Sequence, residues 1–245
     1  MIDFTFGIVT SGNKYDDLNK IIDSIENQDI PNYEIVIVGN SEIKRKKTKL
    51  IEFDESIKTS WITRKKNIIT NYSQFENIVY LHDYIKFHDD WYKGFLKFGN
   101  NFDICMNRII NCDGARYRDW CLCMWNDPNI SNIDGERNRL ISEIVEPGMK
   151  CLLPYDEDRF TKHMYFSGAY WVAKKNVMLE FPLNEKLIWG QGEDVIWSME
   201  VREKYKFSMN KYSAVELLKY KDTILNSADN ETIQKLEKKL LTLDN

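Results

Sequence analysis

The sequence predicts an α/β fold with a mostly parallel central sheet flanked by helices. Three observations carry that expectation. "FTFGIVTS" near the amino terminus and "YEIVIVGNS" at residues 33–41 are β-rich apolar runs that end in small polar residues, and the segment between them repeats its apolar residues at helical spacing. Strands that are apolar on both faces belong in sheets covered on both sides, as parallel strands joined by helices are. A chain of 245 residues is long enough to bury such a sheet as one unit.

The elements follow in order. The first strand breaks at Ser11 and Gly12. "KYDDLNKIIDSIENQ" is the first helix, with acids toward its start and Leu18, Ile21, Ile22 and Ile25 on one face. The second strand closes on Gly39-Asn40-Ser41, and "KRKKTK", Lys44 to Lys49, reads as a solvated loop. "TRKKNIITNYSQ" reads as a helix with Ile68, Ile69 and Tyr72 on one side; it leads into "NIVYLHDYIKF", an apolar strand that ends at His82-Asp83-Tyr84. "DDWYKGFLKFG" is a short helix terminated by Gly99, with His88, Asp89 and Asp90 at its start.

From about residue 102 to 163 the patterning weakens. Turn chemistry at Asp113-Gly114, Asp127-Pro128 and Asp134-Gly135 marks an irregular excursion, the kind of long polar stretch that in a compact α/β chain is more often functional than accidental. "FSGAYWVAKKNVM" resumes strand and helix, and "VIWSMEVREKY" is a further helix. The reading is one domain over 1–220 with a helical tail over 221–245. In the tail Ile233, Leu236, Leu240 and Leu241 fall in register, to dock on the body or on another subunit.

Composition narrows the function. The net charge of −4, from 34 basic and 38 acidic side chains, supplies no field to gather nucleic acid or an anionic membrane. No run approaches the roughly 18 apolar residues of a membrane span, and the amino terminus reads as a strand, not a signal peptide. The 5 cysteines form neither a disulfide framework nor a zinc pattern, which suits reduced thiols in a cytoplasmic compartment. Neither of the glycine-rich phosphate loops of dinucleotide dehydrogenases and P-loop nucleotidases is present.

Ligands of parallel sheets collect at the carboxyl ends of strands, which places Thr10, Ser11, Asn40, Ser41 and Asp83 where a ligand is held. Near the carboxyl terminus "LIWGQGEDVIWSMEVREKY" sets Glu193 and Asp194 between a glycine-punctuated turn and a helix, a position that serves either a helix cap or a catalytic carboxylate. "DGARYRDW" offers Arg116, Tyr117, Arg118, Asp119 and Trp120, suited to hydroxyls or phosphates and equally to a salt-bridged surface loop.

The colinear order of these pieces, from the β-α-β start through "RKKN", "LHDY", "FSGAYWVAKK" and "FPLNE" to "WGQGED", resembles the GT-A-fold nucleotide-sugar-dependent glycosyltransferases, especially the family-two-like inverting group. It covers roughly residues 4 to 100 and 164 to 210. The resemblance implies transfer of a sugar from a nucleoside diphosphate sugar such as a UDP-sugar to a hydroxyl on a glycan, protein or lipid-linked acceptor. It places Thr10, Ser11, Asn40, Ser41, Arg64, Lys66, Asn67, His82 and Asp83 around the donor nucleotide, and Ser167, Gly168, Trp189, Gly190 and Gly192 around the sugars; Arg116, Asp119 and Trp120, in the excursion that the resemblance does not cover, are read as acceptor contacts from their own chemistry. Glu193 and Asp194 answer to the Glu-Asp motif whose aspartate is the general base. "LHDY" stands where the family carries Asp-x-Asp, so His82 and Asp83 become the implied ligands of Mn2+ or Mg2+, and the acid usual after the second strand is replaced by Gly39-Asn40-Ser41 with Glu42 nearby. A catalytically impaired sugar- or nucleotide-binding protein and a nucleotidyltransferase remain as other readings; the second expects a glycine-rich basic loop where this chain has "TSGNKYDD".

Overall fold

The computed structural model describes residues 1–12, 14–123, 135–144, 150–222 and 225–243. The strands are β1 (Phe4–Val9), β2 (Tyr33–Val38), β3 (Thr48–Ile51), β4 (Asn77–His82), β5 (Ile85–Phe87), β6 (Ile104–Ile110), β7 (Cys121–Cys123), β8 (Lys150–Leu152), β9 (Tyr170–Lys174), β10 (Phe207–Leu217) and β11 (Leu225–Ser227). The helices are α1 (Tyr15–Glu26), α2 (Ile62–Tyr72), α3 (Trp91–Phe98), α4 (Gly135–Ser142), α5 (Lys175–Glu180), α6 (Glu193–Val201) and α7 (Asn230–Leu240). One sheet has the order β3-β2-β1-β4-β9-β6-β10-β5 and a smaller one the order β11-β8-β7. In the large sheet β9 and β5 run against the other strands.

Register decides which side chains reach the site. β1 and β4 align from Phe4 opposite Asn77 to Val9 opposite His82, so both strands finish at one edge. Side chains alternate faces along a strand. Phe4, Phe6 and Ile8 therefore share one face, where Phe4 and Phe6 meet Trp91, Phe95 and Phe87 at ring separations of 5.0 to 5.4 Å and α1 and α3 close over them. The other face carries Tyr80, stacked on Trp171 at 5.0 Å, and α2 covers it through the 2.7 Å hydrogen bond between the Thr70 and Tyr80 hydroxyls. His82, two residues beyond Tyr80, falls on the α2 face.

The helix α1 forms as its periodicity predicts: Leu18, Ile21, Ile22 and Ile25 are buried, each such side chain stabilising the fold by about 1.5–3 kcal/mol relative to exposure. The face of α2 differs from expectation. Its buried residues include Thr63, Lys65, Lys66, Asn67 and Thr70 beside Ile62 and Ile69, whereas Tyr72 is exposed under the Lys49 ammonium. Those polar groups tolerate burial because carbonyls and hydroxyls of neighbouring segments satisfy them.

Two other segments depart from the sequence reading, and the tail takes one of the two places expected for it. Residues 104–110, inside the expected excursion, form β6 between β9 and β10. The run "KRKKTK" ends in the edge strand β3, and its Arg45 pairs with Asp23 and Glu26 on α1. The tail docks on its own chain: Asp229 caps α7 by accepting from the Thr232 N–H at 2.8 Å, and Leu236 and Leu240 enter the main core. The expected turn at Asp127-Pro128, and Asp134 of the turn before Gly135, lie outside the described residues. Among the described residues no helix is long and apolar enough to cross a membrane.

Candidate active site

Three adjoining cavities follow the carboxyl edge of the large sheet. The first, about 620 Å³, is lined by Ser11, Gly12, Asn40, Ser41, Glu42 and Glu52. The second, about 310 Å³, takes Thr10, Ser11, Glu55, Lys65, His82, Asp83 and Trp189. The third, about 340 Å³, is walled by His82, Tyr84, Tyr117, Arg118, Ser167, Gly168, Trp189, Gly190, Gly192, Glu193, Asp194 and Lys221. Ser11 is common to the first two, and His82 and Trp189 to the last two.

Close backbone approach builds the first cavity. Gly39 has φ +142°, and a Cβ there would lie 2.0 Å from the Thr10 carbonyl oxygen, so only glycine lets the ends of β1 and β2 meet this tightly. Glu42 and Glu52 supply acids at this cavity, Glu52 from the end of β3, an element not anticipated from sequence. In the second cavity the Asp83 carboxylate accepts from the Thr10 hydroxyl at 2.8 Å. Lys65 donates to the Thr10 carbonyl at 2.7 Å and pairs with Glu55.

The helix α6 delivers the two adjacent acids. Its N-cap is Gly192, at φ +70° with no side-chain cap, so Asp194 is not the cap but the second residue of the helix. Both of its oxygens are held by backbone: Oδ2 accepts from the Gly168 N–H at 2.6 Å and Oδ1 from the Val195 N–H at 2.9 Å. A Cβ on Gly168 would stand 3.0 Å from Asp194 Oδ2, so a side chain there would press on the carboxylate. Ser198 ties the two segments together, donating to the Asp194 carbonyl at 2.7 Å and accepting from the Phe166 N–H at 3.0 Å.

Behind this wall Lys66 is fully buried, donates to the Gly168 carbonyl at 2.6 Å and lies 4.3 Å over the Trp171 ring. Burial lowers its pKa, against the opposing pull of Glu193 and Asp194. Burial, reinforced by Asp194, raises Glu193 to about 7, with Lys66 acting in the opposite sense. His82 is held neutral, pushed well below the ordinary histidine range by burial and then by Lys66 and Lys221, and its buried Nε2 has no hydrogen-bond partner.

Not every expected residue reaches the cavities. Arg64 is exposed and pairs with Glu185. Asn67 donates to the Leu183 carbonyl and the Glu185 carboxylate, both at 2.9 Å, and accepts from the Leu183 N–H at 3.0 Å, fastening a loop instead of facing a ligand. Asp119 and Trp120 are fully buried: Asp119 accepts from Arg116 at 2.7 Å, the Tyr155 hydroxyl at 2.9 Å and the Trp120 N–H at 2.6 Å, while Trp120 Nε1 donates to the Glu157 carbonyl at 2.7 Å. Arg116, Asp119 and Trp120 thus knot the excursion onto the sheet, and their neighbours Tyr117 and Arg118 reach the third cavity instead. Lys65 and Lys221 were not singled out from sequence. Lys65 was legible as the residue one turn before Ile69 on the inner face of α2; Lys221 carries no local pattern.

For a divalent cation the protein donors here are the Asp83 carboxylate and the orphaned His82 Nε2, the Glu55 carboxylate of the same cavity being paired with Lys65, and no group of three His, Cys, Asp or Glu side chains converges among the described residues. The imidazole already lies in the positive field of Lys66, Lys219 and Lys221. Two protein donors with three lysines acting on one of them fit a divalent ion poorly by themselves, since the remaining oxygen ligands would have to come from donor phosphates and water.

No family model matches the chain, and no curated protein matches it. Among solved structures it is similar to S. aureus TarS 1-349, at 12% identity and a TM-score of 0.56, over 87% of this chain and 60% of that one. It is also similar to GalNAc-T7 with UDP, GalNAc and Mn2+, at 11% identity and a TM-score of 0.60, over 97% of this chain and 48% of that one. A longer TarS structure aligns over 100% of this chain and 40% of its own length, at 11% identity and a TM-score of 0.52. The chain thus spans about half the length of the structures it matches, and its fold is GT-A.

Proposed function

We propose that this chain is a glycosyltransferase that moves a sugar from a nucleoside diphosphate sugar to an acceptor hydroxyl with inversion at the anomeric carbon. The observation that carries the reading is the placement of Asp194. Its carboxylate is fixed by two backbone N–H groups on the wall of a cavity that shares His82 and Trp189 with the one holding Asp83. The GT-A fold, found also in GalNAc-T7 with UDP, supports the choice of donor class.

In this reading the base and ribose lie in the first cavity against Ser11, Asn40 and Ser41, with the diphosphate beside Thr10, Lys65 and Asp83 and reaching the junction with the third cavity at His82. The sugar extends into the third cavity past Ser167, Gly168, Gly190 and Gly192, and Trp189, 59% exposed at the junction, offers a flat face to donor or acceptor sugar. The acceptor oxygen attacks the anomeric carbon, its proton passes to Asp194, and the bond to the diphosphate oxygen breaks on the opposite face. One base suffices because no covalent intermediate forms. Glu193, next to Asp194 on the wall of the same cavity, shapes the field around it. A cytosolic setting accompanies the reading, since Cys105, Cys112 and Cys151 are free thiols.

A panel of nucleoside diphosphate sugars, scored by thermal shift and by donor hydrolysis, tests this. The expected result is stabilisation and slow turnover with one nucleotide class. Stabilisation without turnover toward any hydroxyl acceptor moves the chain to a sugar- or nucleotide-binding role, and no response to any donor removes the reading.

A further inference from the structure

The third residue of His82-Asp83-Tyr84, where the resemblance expects an acid, is a tyrosine tied to a lysine from the far end of the chain. Lys221 donates to the Tyr84 hydroxyl at 2.6 Å and sits 4.1 Å from the ring centroid, and the Lys219 ammonium lies 4.5 Å from the same ring. This placement is built. Asn111, buried just beyond β6, donates from Nδ2 to the Lys221 carbonyl at 2.9 Å and accepts at Oδ1 from the Lys221 N–H at 3.2 Å, gripping one residue from both sides. Leu218 extends the β10 pairing by donating to the Tyr84 carbonyl at 2.8 Å. The segment bearing both lysines is thus registered against the turn that bears Asp83.

We propose that Lys221, with Lys219 beside it and Asn111 holding its backbone, is the cation that neutralises the donor diphosphate in place of a divalent metal ion. The inference rests on the transferase reading and concerns how that site handles charge. An ammonium brings three donors and a full charge to phosphate oxygens without needing a cage of carboxylates. As the bond to the anomeric carbon breaks, negative charge grows on the leaving diphosphate, and a cation already fixed at the cavity wall stabilises that charge without reorganisation. The same lysines that disfavour a metal at His82 favour an anion there. Tyr84 acts as the rest for the ammonium: its hydroxyl accepts the Lys221 donor and its ring faces both cations.

Isothermal titration of EDTA-treated protein with inorganic pyrophosphate and with UDP, repeated with Mn2+ added, tests the inference. Both probes are expected to bind in EDTA, with Mn2+ changing Kd less than about 3-fold. Lys221→Met is expected to weaken pyrophosphate about 10-fold or more, Lys221→Arg to stay within about 3-fold of wild type, and uridine affinity to be unchanged in both, which also reports that the variants are folded. Pyrophosphate binding that appears only with Mn2+ overturns the inference and leaves the transferase reading standing, and this comparison needs no variant. Metal-free binding indifferent to Lys221→Met overturns the role of Lys221. If neither probe binds under either condition and the nucleotide-sugar panel also gives no response, the transferase reading itself falls and takes this inference with it.

Discussion

At Asp194 both carboxylate oxygens are occupied by backbone donors, Gly168 N–H and Val195 N–H, and each keeps a further lone pair to accept a proton. An asparagine keeps the shape but turns one of these contacts into donor against donor. Asp194→Asn is therefore expected to lower transfer by about 10²–10⁴-fold, the usual contribution of a general base, with nucleotide affinity nearly unchanged and a stability loss of about 1–3 kcal/mol. Single-turnover assays beside nucleotide titration check this, and a variant with near-wild-type transfer would remove Asp194 from the mechanism. Glu193 and Lys66 add a pH signature. Folded Glu193 keeps its proton to about 7 whereas the unfolded chain releases it near 4.5, so stability falls as pH rises through that window. Lys66 does the reverse: the folded protein gives up its proton at about 8 and the unfolded chain near 10.5, so stability rises between those values. In Glu193→Gln the fall between about pH 4.5 and 7 is expected to flatten, and the alkaline rise to begin lower because Lys66 loses an acidic neighbour. Thermal midpoints of both proteins across pH 4 to 11 measure it; parallel curves would show that Glu193 is not the titrating group.

The helix α2 joins the sheet to the loop that carries Trp189. Trp61 Nε1 donates to the Glu185 carbonyl at 2.7 Å, Thr63 to the Leu187 carbonyl at 2.8 Å, Asn67 grips Leu183, and the Trp189 N–H donates to the Ser60 carbonyl at 3.1 Å. Asn67→Ala leaves the Leu183 N–H and carbonyl without that partner, a loss of about 1–3 kcal/mol. At this chain length that corresponds to a Tm fall on the order of 5 °C. Transfer is expected to weaken as well, although Asn67 lines none of the three cavities described, because the loop bearing Trp189 is loosened; differential scanning calorimetry beside a donor KM measurement checks both. An unchanged KM would detach the loop from donor binding. α2 also marks the limit of what periodicity reveals. Its existence was legible from the apolar spacing, but its orientation was not, because the buried face is half polar and the partners of Lys66 and Asn67, Gly168 and Leu183, lie more than 100 residues away in sequence. The strand β6 was hidden for a similar reason. "ICMNRII" has Asn107 at its centre, and only the fold reveals that Trp91 Nε1 and the Tyr170 hydroxyl satisfy that buried amide.

At the scale of the whole molecule, three stretches far apart in the chain, at 82–84, 189–194 and 219–221, meet at one sheet edge, and Tyr84 feels the charge of both Asp83 and Asp194. The first two were legible because strand ends and glycine-flanked helix starts are local signals; the third was not, since its place depends on Asn111 and on the pairing of β10 with β5. Immediately beyond it the chain adds β11 to the small sheet and closes with α7, whose Leu236 and Leu240 are buried in the core shared with β1, β4 and β9. The tail is therefore expected to unfold with the body. Leu236→Ala should cost about 2–5 kcal/mol, since a fully buried leucine leaves a cavity its neighbours only partly fill. All 7 tryptophans lie before residue 200, so tryptophan fluorescence reports the body while far-ultraviolet circular dichroism includes the tail. In urea both signals of Leu236→Ala are expected to move together to a lower midpoint, as two-state unfolding requires. A helical signal lost early, with the fluorescence midpoint left at the wild-type value, would make the tail an independent unit and would separate the segment after Lys221 from the stability of the site.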